Sequence, residues 1–318
     1  MFDAEVSAVI QALDTGFPPI EEMTGAQARA AIAARRQPVR NLDDVARTED
    51  RVLAGPGGDL PVRVYFPHRA GDEPRPVVVF CHGGGFVFCD IESHDGFCRE
   101  MSAGTGAVVV SVDYRLAPEH KAPAAADDAY AALRWAAAHA AELGGDPARV
   151  FVAGDSAGGN LAAVACLTAR DEGGPAVAGQ VLIYPVLDPS CDTESYHRYA
   201  TGFGNTKAHM EWYWRQYLPG DGIPEPRHRI VPSAADTLRG LPPAIVVTAG
   251  LDPLASEGRA YADALARDGV PVTHRHYPGL FHGFLTIATL QAARSARALL
   301  WHDLRDRMHA PTAQGEAS

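Results

Sequence analysis

The chain has 318 residues, of which 47% are apolar and 21% charged, and its formal net charge is −11. Those proportions are ordinary for a globular chain, and the length suits one large α/β domain or two ordinary ones. The acidic balance excludes the basic face that a nucleic-acid partner demands.

Residues 1–48 read as an N-terminal helical segment. Met1 to Thr15 carries Asp3, Glu5 and Asp14 and lacks both a basic n-region and a continuous apolar h-region, so no secretory signal is expected. Ala4 to Leu13 is an amphipathic helical pattern, and Thr24 to Arg36 is a second, with Thr24 as its N-cap. The apolar loop Phe17-Pro18-Pro19-Ile20 joins them, and the segment reads either as a decorative N-terminal arm or, slightly preferred, as a cap over a pocket.

From about residue 49 the period changes. Leu60 to Phe66 alternates as a strand does, and Pro76 to Cys81 and Ala107 to Val112 are continuous apolar runs suited to strands buried on both faces. Asp127 to Leu143 reads as a helix capped by Asp127 or Asp128. Arg149 to Ala153, Val181 to Tyr184, Ala244 to Thr248 and Val270 to His276 read as further strands. Helices are expected over Asn160 to Ala169, Ser256 to Asp268 and Gly283 to Arg307. About eight buried strands alternating with helices predict an α/β fold, with a mostly parallel sheet covered on both faces, spanning residues 49–309. Residues 188–240 break the rhythm with polar and aromatic sequence and one helix, Lys207 to Tyr217, and read as a packing insertion or part of a lid. The tail 310–318 is small and polar and is expected to be disordered. No window approaches the length of apolar sequence a membrane span needs. The five cysteines are odd in number and form no CxxC pair, which points to reduced thiols in a cytoplasmic protein.

The chemistry centres on Gly154-Asp155-Ser156-Ala157-Gly158-Gly159, between a strand and a helix. This is the nucleophile-elbow pattern G-x-S-x-G: a tight turn lifts the serine hydroxyl above the sheet, over the free N–H groups of a helix start. Short patterns occur by chance, so a base, an acid and an oxyanion site must come from elsewhere. His82-Gly83-Gly84-Gly85-Phe86 follows the Val77–Cys81 strand and offers bare backbone amides for half of an oxyanion hole, with Ala157 supplying the other donor. His82 is expected to orient that loop. Asp252 follows the Ala244–Thr248 strand, and His282 lies in a glycine-flanked loop after the last strand. Ser156, Asp252 and His282 thus stand in the serine–acid–histidine order of a hydrolytic triad, in which the histidine is the base and the aspartate fixes its tautomer. Asp188 and Glu257 are rival acids, with Asp252 preferred. Asp155 is given no catalytic role. His274 and His276 alternate on a strand without a nearby Asp, Glu or Cys, so no metal site is expected.

Together with Asp113-Tyr114-Arg115-Leu116-Ala117-Pro118-Glu119-His120, Asp252-Pro253-Leu254 and His282-Gly283-Phe284, these motifs make the chain resemble the bacterial hormone-sensitive-lipase-like carboxylesterases of the α/β-hydrolase fold over residues 50 to 290. The resemblance implies a cofactor-free serine esterase for short- to medium-chain carboxylic esters. It implies Ser156, His282 and Asp252 as the triad, Gly84, Gly85 and Ala157 as oxyanion donors with Gly83 in the same loop, and a helical cap made of the N-terminal segment and residues 188–240. Phe17, Ile20, Phe203 and Trp212 are candidate substrate-binding walls of that cap. Family members often pair through the last strand and helix, which allows a homodimer. The same triad also serves amide, formamide or lactone hydrolysis, and a ligand-binding protein on a dead hydrolase scaffold is the rival from another class. Two departures from the family pattern stand out: Cys89 where glycine is common, and Ala255-Ser256 where an Arg-Asp pair is usual.

Overall fold

A computed structural model describes residues 3–68 and 73–310, so the expectation for 310–318 falls almost wholly outside the described residues. In chain order the elements are α1 (Ala4–Gly16), α2 (Gly25–Ala33), β1 (Val45–Gly55), β2 (Gly58–Pro67), β3 (Arg75–Cys81), α3 (Ile91–Thr105), β4 (Val108–Val112), α4 (Ala124–His139), β5 (Gly145–Asp155), α5 (Ala157–Glu172), β6 (Gly179–Ile183), α6 (Glu194–Arg198), α7 (Lys207–Tyr217), β7 (Ala244–Leu251), α8 (Ala255–Arg267), β8 (Val272–Phe281) and α9 (Gln291–His309). Among the described residues eight strands form one sheet in the order β1-β2-β4-β3-β5-β6-β7-β8. Only β2 runs against the others.

Strand periodicity divides the core in two. Val77, Val79 and Cys81 of β3 point into one cluster with Val150 and Val152 of β5, covered by α4, α5 and α8. Val78 and Phe80 point the other way, with Phe151 and Ala153, into a cluster covered by α1, α3 and α9. Because both faces are buried, these strands carry unbroken apolar runs and are recognisable from sequence.

Several elements differ from expectation: the last helix begins at Gln291 rather than Gly283, after a short turn at Phe284–Thr286, and the 188–240 stretch holds α6 as well as α7. β1 is an edge strand with only Val45 and Leu53 buried, so it lacks an apolar signature. α3 was not anticipated, because its buried face holds His94, Asp95, Arg99 and Ser102 among the apolar residues. α4 begins at Ala124, so Asp127 and Asp128 lie inside the helix and cap nothing; Asp128 instead accepts hydrogen bonds from the Arg115 backbone N–H (2.9 Å) and from Nε (2.8 Å). α2 begins as read: Thr24 and Gln27 form a reciprocal capping box.

The N-terminal segment and the 188–240 stretch touch one another. Glu21 reaches His209 of α7 at 3.4 Å, the Phe17 ring lies 5.3 Å from the same imidazole, and Asp14 accepts the Gly204 N–H at 2.7 Å. α7 is anchored over the loop after β3, where Phe86 stacks on Tyr217 at 3.9 Å.

Candidate active site

The four segments singled out in the sequence converge at the C-terminal edge of the parallel strands. β3 and β5 are neighbours, with Cys81 opposite Gly154, so the glycine loop and the Ser156 turn leave the sheet side by side. Ser156 has φ 56° and ψ −117°, the strained geometry of the elbow, and is the residue before α5. The turn needs its glycines for contact reasons. A Cβ on Gly158 would stand 1.9 Å from the Cys81 carbonyl oxygen, and one on Gly154 would stand 2.1 Å from that of Gly158.

His282 bridges the other two groups. Its Nδ1 lies 2.8 Å from Asp252 Oδ2 and its Nε2 lies 2.9 Å from Ser156 Oγ. A carboxylate only accepts, so Nδ1 carries the proton. In the neutral ring Nε2 then accepts from the serine hydroxyl. Asp252 is fully buried, and its Oδ1 accepts the Leu254 N–H at 2.9 Å, which fixes the carboxylate plane. The Tyr184 ring packs on the imidazole with centroids 4.7 Å apart. The rival acids are engaged elsewhere: Glu257 Oε1 accepts the Leu187 N–H and Asp188 Oδ1 accepts the Ser190 N–H, each at 2.8 Å.

Beside Ser156 the glycine loop is pinned from several sides. His82 Nδ1 donates to the Gly83 carbonyl at 2.7 Å, and the Tyr114 hydroxyl donates to the His82 carbonyl at 2.7 Å while its ring stacks on the imidazole. Burial, with His94 nearby, lowers the His82 pKa to about 4, so this ring is neutral when it donates. The Gly83 N–H is taken by Asp155 Oδ1 at 2.8 Å. Among the described residues no backbone acceptor meets the N–H groups of Gly84, Gly85 or Ala157. Gly83 is thereby separated from the three amides left for an anion.

Phe17, Ile20 and Trp212 belong to the same packed cluster as Phe86, Val87 and Phe88 of the glycine loop, Ile20 and Trp212 being buried and Phe17 half-buried. Phe203 packs elsewhere, edge-on to Tyr199 and against the other cluster. Sequence reasoning passed over Tyr213, which lies across Gly85, and Arg29 of α2, whose Nη1 donates to the carbonyls of Val87 (2.9 Å) and Ala117 (3.0 Å). Neither belongs to a local motif; each is found only through a long-range contact. Where an Arg-Asp pair is usual, Ser256 receives the Ser195 N–H (3.3 Å) and ties α6 to α8. His274 and His276 both bond the Thr248 hydroxyl at 2.9 Å, and no metal-holding group of three ligands occurs among the described residues. All five cysteines are free, and no described helix is long and apolar enough to cross a membrane.

A serine on a strand-to-helix elbow, bonded in series to a histidine and a buried carboxylate and set beside unpaired amides, defines the α/β hydrolases as a class. A family profile described as alpha/beta hydrolase fold matches residues 78–286. The chain is 44% identical over 252 residues to the carboxylic ester hydrolase LipN of Mycobacterium tuberculosis, covering 78% of this chain and 66% of LipN's own length. It is 41% identical over 290 residues to the carboxylesterase NlhH of the same organism, 89% of each chain. The solved structure of a hyperthermophilic esterase from Pyrobaculum calidifontis superposes with a TM-score of 0.86 at 39% identity, covering 96% of this chain and 98% of that one. The chain belongs to the hormone-sensitive-lipase-like carboxylesterase family of the α/β-hydrolase fold.

Proposed function

We propose that this chain is a serine carboxylesterase that hydrolyses short- to medium-chain carboxylic esters through an acyl-enzyme. The observation that carries the reading is the unbroken series Asp252 Oδ2–His282–Ser156 Oγ, at 2.8 and 2.9 Å, beside the free amides of Gly84, Gly85 and Ala157. His282 Nε2 takes the serine proton as Oγ attacks the ester carbonyl. Asp252 stabilises the imidazolium that results, and the three amides hold the tetrahedral oxyanion. The imidazolium then protonates the leaving alcohol. Water, deprotonated by the same nitrogen, releases the acid and restores the serine.

The N-terminal segment and residues 188–240 act in this reading as one cap. Phe17, Ile20 and Trp212, packed with the glycine loop, are its candidate substrate-binding walls, whereas Phe203, packed with Tyr199 against the other cluster, is left out of the pocket. The free thiols fit a cytoplasmic setting. Pairing of two copies along the edge strand β8 and α9 belongs to the same reading and is tested by sedimentation. The decisive experiment is hydrolysis of a short p-nitrophenyl ester by the Ser156→Ala variant. Loss of all but background turnover is expected, and retained turnover overturns the assignment. Matched ester and amide substrates separate esterase from amidase action.

A further inference from the structure

The residue between Gly154 and Ser156 is an aspartate only 4% exposed. Its Oδ1 accepts the Gly83 N–H at 2.8 Å and lies 3.2 Å from Nε2 of His94, a buried residue on α3. Burial alone would raise the Asp155 carboxyl, but His94, the Gly83 N–H and His82 outweigh it and hold it below the usual range. A buried carboxylate of this kind needs donors that satisfy it.

His94 faces that carboxylate from α3, and its ring nitrogens are placed by two further contacts. Nδ1 lies 3.0 Å from Ser93 Oγ. The shortest contact of that hydroxyl is 2.7 Å to the Asp90 carbonyl, which can only accept and so takes the hydroxyl proton. The hydroxyl oxygen also accepts the Asp90 N–H at 2.9 Å, which fixes Ser93 against the ring. Nε2 faces a carboxylate, which also only accepts. Nε2 therefore carries a proton and donates towards Asp155.

We propose that Asp155 and His94 form a positioning pair that sets the oxyanion donors against the nucleophile. The reason is connectivity. The Asp155 backbone leads directly into Ser156 and Ala157, while its side chain grips the first amide of the glycine loop. One residue thus spans both halves of the oxyanion site, the amides after β3 and the amide after β5. With its N–H held by Asp155 and its carbonyl held by His82, Gly83 fixes where the Gly84 and Gly85 amides point. His94 holds the carboxylate in that orientation from α3. Donors must stand within a few tenths of an ångström of the developing oxyanion, so releasing this grip acts on the transition state more than on the bound substrate.

The inference rests on the esterase reading, and the experiment separates the two. Ester hydrolysis is measured for the wild-type chain and for the Ser156→Ala, Asp155→Ala, Asp155→Asn and His94→Gln variants. Active sites are counted by fluorophosphonate titration carried to completion, and affinity is measured for a trifluoromethyl ketone that adds to the serine as a tetrahedral oxyanion. In Asp155→Ala, kcat per titrated site is expected to fall about 100-fold with KM changed by less than about threefold. Affinity for the ketone is expected to fall in parallel. Asp155→Asn keeps an acceptor for Gly83 and should recover about tenfold of that loss. A merely structural role would reduce the number of titrated sites and leave kcat per site unchanged. If Asp155→Ala does not fold, Asp155→Asn and His94→Gln are read in the same way. Values of kcat per site within twofold of wild type, with unaltered ketone affinity, overturn the pair. Retained hydrolysis by Ser156→Ala overturns the esterase reading itself.

Discussion

The ring of Tyr213 lies across Gly85, so that a Cβ added to the glycine would meet its Cδ1 at 2.1 Å. Tyr213 belongs to α7, and Gly85, at φ 59°, is one of the proposed oxyanion donors. The 188–240 stretch therefore reaches the chemistry directly. Gly85→Ala must accept both a left-handed backbone and an overlap with a buried ring. A destabilisation of about 2–4 kcal/mol is expected, with a loss of about 100-fold in kcat. Tyr213→Leu in the same chain should recover part of the stability, because it removes the ring but not the positive φ. Denaturant melts of the two single variants and the double variant would show a coupling of about 1 kcal/mol or more. Additive effects would mean that the ring and the loop do not constrain each other.

Asp252→Asn tests the tautomer argument. The amide would be able to donate to His282 Nδ1, which then no longer needs its proton. The ring would present Nε2–H to Ser156, and the serine would have no base. A fall of about 10⁴-fold in kcat is expected with little change in melting temperature. Fluorophosphonate labelling of Ser156 should slow in parallel. Activity within tenfold of wild type would mean that another carboxyl orients His282.

The parts legible from sequence are those whose signal is local. β3 and β5 announce themselves because both faces are buried, and the hydrogen-bonded series Asp252–His282–Ser156 because each member follows its own strand inside a short motif. β1 was missed because an edge strand with charged side chains on its open face has no run of apolar residues. α3 was missed because its inward face is polar: Asp95 accepts from Tyr65, Arg63 and Arg99. The N-cap of α4 was misplaced because Asp128 serves a contact with Arg115 that only the tertiary fold reveals. The same limit explains Asp155. Its adjacency to Ser156 is visible in the chain, but its partners, Gly83 and His94, come from two other segments, one of them on the unanticipated helix.

Cys89 stands beside the glycine loop at φ 67°, where family members commonly carry glycine. Burial pushes its thiol up to about 12, with the Ser93 hydroxyl opposing. The thiol therefore stays protonated at pH 8. Ester hydrolysis should survive iodoacetamide at that pH over an hour, and mass spectrometry should find Cys89 unmodified in the folded chain. Rapid alkylation at Cys89 with loss of activity would show that its thiol is not held protonated.

Glu257 yields a pH effect on stability whose sign is fixed by its surroundings. The side chain is 6% exposed, and burial, opposed by the Leu187 N–H, holds its carboxyl well above the usual range. The folded chain thus binds this proton more tightly than the unfolded chain does. The associated stability is fully present below the unfolded value of about 4.3 and is lost as pH rises from there towards the folded value. Within that window each pH unit removes about 1.4 kcal/mol. Glu257→Gln keeps an oxygen for the Leu187 N–H and cannot ionise, so its stability should fall less steeply with pH than that of the wild type. Measuring urea unfolding of both chains at a series of pH values gives the difference directly. Parallel curves would mean that Glu257 is already ionised in the folded chain and that its buried carboxylate has a counter-charge other than the Leu187 amide.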